Sequence, residues 1–139
     1  MLPGQKQRRQ LPRRECAVRE ILFRAKLKST GRWVQGDLVR LRDGPKAIPH
    51  IYGHGEVVSE TVGQYTGLTD IVGCRIFEGD IVEYMSEYGQ IAYQDGEAMF
   101  GIVFDTWCTD FDHVYRSSVE VIGNIHDNPE LLEGGDDGN

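Results

Sequence analysis

Apolar and polar positions alternate with a period of two along much of this chain, which is the mark of half-buried strands rather than helices. From Glu20 the series Ile21, Phe23, Ala25, Leu27 alternates with Leu22, Arg24, Lys26 and Lys28. Ser29-Thr30-Gly31 then turns the chain into a second run, Trp33 to Leu41, so that 20–41 reads as an antiparallel hairpin. Asp43-Gly44-Pro45 ends the run, and an extended piece from Ile48 to Tyr52 leads into a loose Gly53-His54-Gly55 loop. Between Val57 and Leu68, β-branched residues are broken by two glycines, which predicts a bent strand or an irregular crossing segment.

The clearest phrase is Ile76-Phe77-Glu78-Gly79-Asp80-Ile81-Val82-Glu83-Tyr84. Glycine reaches backbone angles other residues resist, and an aspartate can accept a hydrogen bond from nearby backbone, so Gly79-Asp80 is a turn with a strand directly behind it. Trp33-Val34-Gln35-Gly36-Asp37-Leu38-Val39 repeats the phrase, which makes Gly36, Asp37, Gly79 and Asp80 the signature turns of the fold. Further on, Ser86 to Gly89 turns into a strand Gln90–Tyr93, and Asp95-Gly96 signals a hairpin before Ala98–Phe104. Thr106 to Tyr115 is aromatic and acidic without period and reads as a loop; Ser117–Ile122 is a last strand. Asp127 or Asn128 caps a short C-terminal helix with Pro129 in its first turn.

Composition adds bounds. At 139 residues the chain is expected to be one domain, and 17 glycines favour a turn-rich, mainly β protein. Neither a signal segment nor an apolar run near the length of a membrane span is visible, so the expected location is the cytoplasm, with no membrane. Cys16, Cys74 and Cys108 are odd in number and widely spaced, as expected of reduced thiols. The charge is divided. Residues 1–28 hold nine Lys/Arg against two Asp/Glu, and the remainder six against twenty. Nucleic-acid affinity comes mainly from Lys and Arg neutralising phosphates, so the acidic body disfavours such a partner and only the basic arm, residues 1–17, would bind one. That arm and the acidic tail 134–139 have no period and read as disordered flanks of a folded region 18–133.

Candidate chemistry is thin. His50 and His54 with Cys74, Cys108 or His113 have ligand chemistry for zinc, but Pro49, Gly53 and Gly55 argue against the helix that a His-x-x-x-His pair needs. Asp105, Asp110 and Asp112 around Trp107 would suit a magnesium ion, yet no cations cluster nearby to hold a phosphate substrate, and a solvated acidic loop accounts for them. Cys108 and His113 lack a glycine-framed nucleophile turn. The aromatic residues Trp33, Tyr65, Phe77, Tyr84, Tyr93, Phe100, Phe104 and Trp107 read as core or subunit interface rather than as a base-stacking platform. Trp107, Phe111 and Tyr115 would leave an aromatic patch on a solvent-facing loop, which marks them as an expected interface. No metal, cofactor or catalytic residue is therefore expected, and the chain reads as a protein-binding, non-enzymatic molecule.

Five blocks resemble the YopX family of bacteriophage and prophage proteins: Val18 to Ala25, Trp33 to Leu38, Thr61 to Leu68, Ile76 to Val82 and Glu120 to Leu132. The resemblance implies a small SH3-like β-roll or barrel built from antiparallel hairpins, assembled as a homo-oligomer, in a family that supplies no established activity and no catalytic residues. A host protein is the other partner that such a phage protein would take. Two departures stand out. Thr69 to Arg75 is more apolar than the polar turn usual in such proteins, and residues 1–17 have no counterpart, Val18 standing where relatives have their initiator methionine.

Overall fold

The computed structural model describes residues 19–111 and 118–133. The basic arm, the acidic tail, Asp112, His113 and Tyr115 lie outside the described residues. Twelve strands are present among those described: β1 (Phe23–Lys26), β2 (Trp33–Gly36), β3 (Leu38–Asp43), β4 (Lys46–Ile51), β5 (Gly55–Glu56), β6 (Gly63–Thr69), β7 (Arg75–Phe77), β8 (Asp80–Tyr84), β9 (Glu87–Gln94), β10 (Met99–Val103), β11 (Cys108–Asp110) and β12 (Val119–Asn124). One short helix, α1 (Glu130–Glu133), follows. The strands form three antiparallel sheets with the orders β2-β1-β6-β7, β11-β10-β9-β8-β12 and β3-β4-β5. The protein is thus mainly β, as its period predicts. Among the described residues the hydrogen-bonded order is linear in each sheet, and an isolated bridge between Leu27 and Val57 lies outside the named strands.

The first hairpin forms where the alternation places it, with Phe23 opposite Gly36 and Lys26 opposite Trp33. Its second arm is shorter than predicted. Instead of one strand from Trp33 to Leu41, the chain turns a corner at Gly36-Asp37, and Leu38 pairs with Ile51 in a different sheet. The Tyr52 N–H donates to the Asp37 carbonyl at 2.9 Å and holds the corner. A Cβ at Gly36 would sit 3.0 Å from Ile51 Cγ2, so the corner leaves little room for a side chain. The expected loose loop at Gly53-His54-Gly55 is a tight turn, with the His54 N–H on the Ile51 carbonyl at 2.9 Å.

Two other predicted turns move. The β8–β9 hairpin closes at Met85-Ser86, with φ of 54° and 69°, the left-handed pair that a two-residue hairpin of primed type requires. Gly89, read as part of that turn, lies inside β9, where a Cβ would come within 2.6 Å of Ile102 Cγ2 and 2.9 Å of the Phe104 ring. The β9–β10 hairpin forms around Asp95-Gly96, but its turn takes four residues and ends on Ala98 in the left-handed region. The aromatic, acidic stretch read as a loop contains β11, which pairs Ile102 with Thr109. Those residues lack strand-like alternation, so only the neighbouring edge of β10 makes a strand of them.

Two buried clusters hold the sheets together. One gathers Ile76, Val82, Tyr84, Ile91, Ile102, Phe104 and Val119 between β7 and the five-stranded sheet. The other gathers Ala25, Ile51 and Val57, with Phe23, Leu27, Val34, Leu38 and Val62 packed against it. Within the described residues no helix is long and apolar enough to cross a membrane.

Candidate functional site

Asp80 is the most deeply engaged of the signature residues. It is 2% exposed, its Oδ2 accepts the Phe77 N–H at 2.7 Å, and its Oδ1 lies 2.7 Å from Arg24 Nη2. Arg24 sits on the polar side of the β1 alternation and would be read as solvated, yet its side chain is only 13% exposed. Its guanidinium lies 4.7 Å from the Trp33 ring and 4.9 Å from the Phe77 ring, and its Nε and Nη2 meet no acceptor in good hydrogen-bond geometry. The rings and the carboxylate together take the place of water around the cation. Burial pushes the Asp80 carboxyl above its ordinary value, against the opposing pull of Arg24 and the Phe77 N–H.

Gly79, beside it, has φ of 93°, and a Cβ there would meet His126 Nε2 at 3.6 Å and Arg24 Nη2 at 3.8 Å. The turn assigned to Gly79-Asp80 is therefore present, and it also forms the floor of this ion pair. Around its rim, Lys26 donates to Asp127 Oδ1 and the Trp33 indole N–H to Asp127 Oδ2 at 2.8 Å. Asn128, one of the two expected helix caps, accepts the Leu131 N–H through its carbonyl at 3.0 Å and the Asn124 N–H through its side chain at 3.2 Å. Burial, then Arg24 and Lys26, hold the His126 imidazole below its ordinary value, with Asp127 opposing.

Asp127 is held down to about 2 from an ordinary 3.8, first by Lys26 and then by Trp33. A depressed carboxyl contributes stability above its unfolded value and loses it as the pH falls through the folded one. Asp127→Asn is therefore expected to lower the melting temperature at neutral pH, and the gap to the native protein to close between about pH 4 and pH 2. Thermal melts across that range check it; a gap unchanged at pH 2 defeats it.

A second buried carboxylate, Asp70, was not singled out by any sequence pattern beyond the turn itself. Its Oδ1 accepts the N–H groups of Val72 and Cys74, and its Oδ2 that of Val121, at 2.8–3.0 Å. Burial works to raise its carboxyl and is outweighed by the backbone donors Val121, Cys74, Val72 and Gly73, which leave it below its ordinary value. This clamp ties the β6–β7 turn to β12 and presents Ile71 and Val72, 51% and 65% exposed, to solvent.

Among the described residues, those with ligand chemistry do not gather. His50 Nδ1 is 3.1 Å from the Ile48 carbonyl on β4, His54 is exposed, Cys74 lies in the β6–β7 turn and Cys108 opens β11. Among the described residues no three His, Cys, Asp or Glu side chains gather to hold a metal ion. Asp105 is exposed and Asp110 half-buried on β11. Of the expected interface residues, Trp107 stacks on Phe104 with centroids 4.5 Å apart and donates its indole N–H to Glu87 at 3.1 Å. It is 43% exposed, whereas Phe111 faces elsewhere, into a cleft.

That cleft, about 520 Å³, follows from strand register. On one face of the β9–β10 hairpin, Ile91 lies opposite Ile102, and the next same-face pair is Tyr93 opposite Phe100. The isoleucines are fully buried under β7; the aromatic pair runs past that cover and lines the cleft with Tyr65, Leu68, Met99 and Phe111. Tyr93 is 45% and Met99 37% exposed, and the Tyr93 and Phe100 rings meet edge to face at 5.3 Å. Of the aromatic residues expected as core or interface, Tyr65, Phe77, Tyr84 and Phe104 are core, while Tyr93 and Trp107 are partly exposed. A separate hollow of about 200 Å³ is lined by Gln94, Glu97, Cys108, Thr109 and Asp110.

A family model described as YopX protein matches residues 22–133. The chain belongs to the YopX family. Residues 22–133 contain β1 to α1, including the Arg24–Asp80 pair and all of the cleft's lining except Arg19. The YopX chain is also similar to the crystal structure of protein EF1440 from Enterococcus faecalis, with 27% identity and a TM-score of 0.55 over 83% of this chain and 99% of that one. No curated protein matches the sequence.

Proposed function

We propose that this YopX-family chain is a phage-encoded, non-enzymatic protein that acts in the host cytoplasm by binding protein, either further copies of itself or a host factor. The observation that carries this reading is the aromatic cleft, where the core face of β9–β10 continues beyond its cover as Tyr93 and Phe100. Exposed apolar surface rimmed by polar groups is what protein interfaces use. The carboxylates that their surroundings shift belong elsewhere, to turns and an ion pair where they hold backbone and cation.

Light scattering at several concentrations, with native protein and a Tyr93→Ser/Met99→Ser variant, tests the reading alongside co-purification from host cytoplasm. The native protein is expected above monomer mass or with a host partner that the variant loses. A monomer at every concentration, with the same co-purified proteins for both, would sink it. Binding to nucleic acid through the basic arm is the competing reading. Steeply salt-dependent nucleic-acid binding would favour it.

A further inference from the structure

We propose that the outer edge of β3 is a second protein-binding surface, which takes an extended acidic segment of a partner protein as an added antiparallel strand. This rests on the protein-binding reading above and names another surface and the chemistry of its partner.

β3 is an edge strand, paired with β4 alone in the order β3-β4-β5. Its ladder runs without a bulge from Leu38 opposite Ile51 to Asp43 opposite Lys46. The Tyr52 N–H donates to the Asp37 carbonyl one step before it, so bonded pairs recur at Val39–His50, Leu41–Ile48 and Asp43–Lys46. The N–H and C=O groups of Arg40 and Arg42 therefore point away from β4, and no described strand lies on that side. The equally long edge at β12 is closed. There the Ile71 N–H donates to the Val119 carbonyl, and the Val121 and Asn124 N–H groups donate to the side chains of Asp70 and Asn128. The remaining edge strands, β2, β5, β7 and β11, have only two to four residues. Among the described residues β3 is thus the long edge left open, and an open edge is a template for a further strand.

Charge chooses the strand. Residues 29–139 hold six Lys/Arg, and three of them, Arg40, Arg42 and Lys46, fall in this hairpin. Every residue from Arg40 to Ala47 is exposed, Leu41 at 50%. Arg40 and Arg42 share one face of the sheet, and Val39 and Leu41 share the other. An added strand sets its side chains directly opposite these, which favours carboxylates against the arginines and apolar residues against Val39 and Leu41. A second copy of β3 does not fit, because antiparallel self-pairing centred on the strand sets arginine against arginine. A phosphate backbone answers the arginines but brings no donor to the open carbonyl groups.

The experiment is an NMR titration of the isotopically labelled full chain with the synthetic peptide Ser-Val-Glu-Val-Glu-Val-Ser. One control peptide is N-methylated at both glutamates, which removes the donors that meet the Arg40 and Arg42 carbonyls; the other carries lysine for each glutamate. Saturable shifts and slowed amide exchange are expected at Arg40 and Arg42, with both controls about tenfold weaker. Arg40→Glu/Arg42→Glu, two exposed changes, is expected to weaken the glutamate peptide about tenfold and to bind the lysine peptide instead. No saturable shift at millimolar peptide overturns the proposal, and so does equal affinity for the N-methylated peptide. Oligothymidine displacing the peptide, or the same shifts on raising the protein concentration alone, overturns it in favour of nucleic acid or a second copy. Tyr93→Ser/Met99→Ser is expected to bind the peptide as the native chain does, which keeps the two surfaces apart. If that variant loses its association with protein while the peptide does not bind the native chain, this inference fails and the protein-binding reading stands.

Discussion

Asp80→Asn is expected to destabilise the fold by about 1–3 kcal/mol at neutral pH, the cost of leaving a buried cation without its counter-charge, offset in part by the burial that already raises the Asp80 carboxyl. Arg24 is 13% exposed and lies between two rings, so its guanidinium cannot swing into water without uncovering Phe77 and Trp33. The substitution also weakens the acceptor for the Phe77 N–H, which is held at 2.7 Å by the same carboxylate. For a domain of this size the loss corresponds to a fall in melting temperature of about 3–10 °C. Arg24→Met paired with Asp80→Asn is expected to recover part of it, because removing both charges removes the desolvation penalty as well as the attraction. Urea melts of the two single variants and the double variant decide the matter: a double variant no more stable than Asp80→Asn alone would show that the cation is not what the carboxylate serves.

Gly79→Val is expected to cost a few kcal/mol, and Glu78→Ala well under 1 kcal/mol. With φ of 93°, position 79 is one that a β-branched residue occupies only under strain, and its Cβ would point at His126, Arg24 and Ile125. Glu78 is half-buried and its carboxylate meets the Gln64 N–H at a long 3.4 Å, so its truncation removes little. Equal melting temperatures for the two variants would mean that the β7–β8 turn tolerates a side chain and that the signature phrase has another cause.

The hairpins were readable because a two-residue period and turn residues are local facts. β1 with β2, β9 with β10 and the Gly79-Asp80 turn all lie where local chemistry places them. Turns without their usual residues were not readable: nothing in Met85-Ser86 announces two left-handed residues, and Gly89 drew the turn toward itself although its real constraint is the Ile102 and Phe104 side chains across the sheet.

From the sequence alone follow the class of structure, the family and the positions of the signature turns, since these rest on alternation, glycine and short motifs. Tertiary structure decided what those turns are for. Arg24 is polar by pattern and becomes buried only because β6, β7 and β8 bring Phe77 and Asp80 against β1, and a cation without water must find a carboxylate and ring faces. The cleft is likewise invisible in one dimension. Tyr93 and Phe100 continue the same apolar face as Ile91 and Ile102, and whether that face is core or binding surface depends on where the covering strands end, which is a property of the packed sheets and not of any segment.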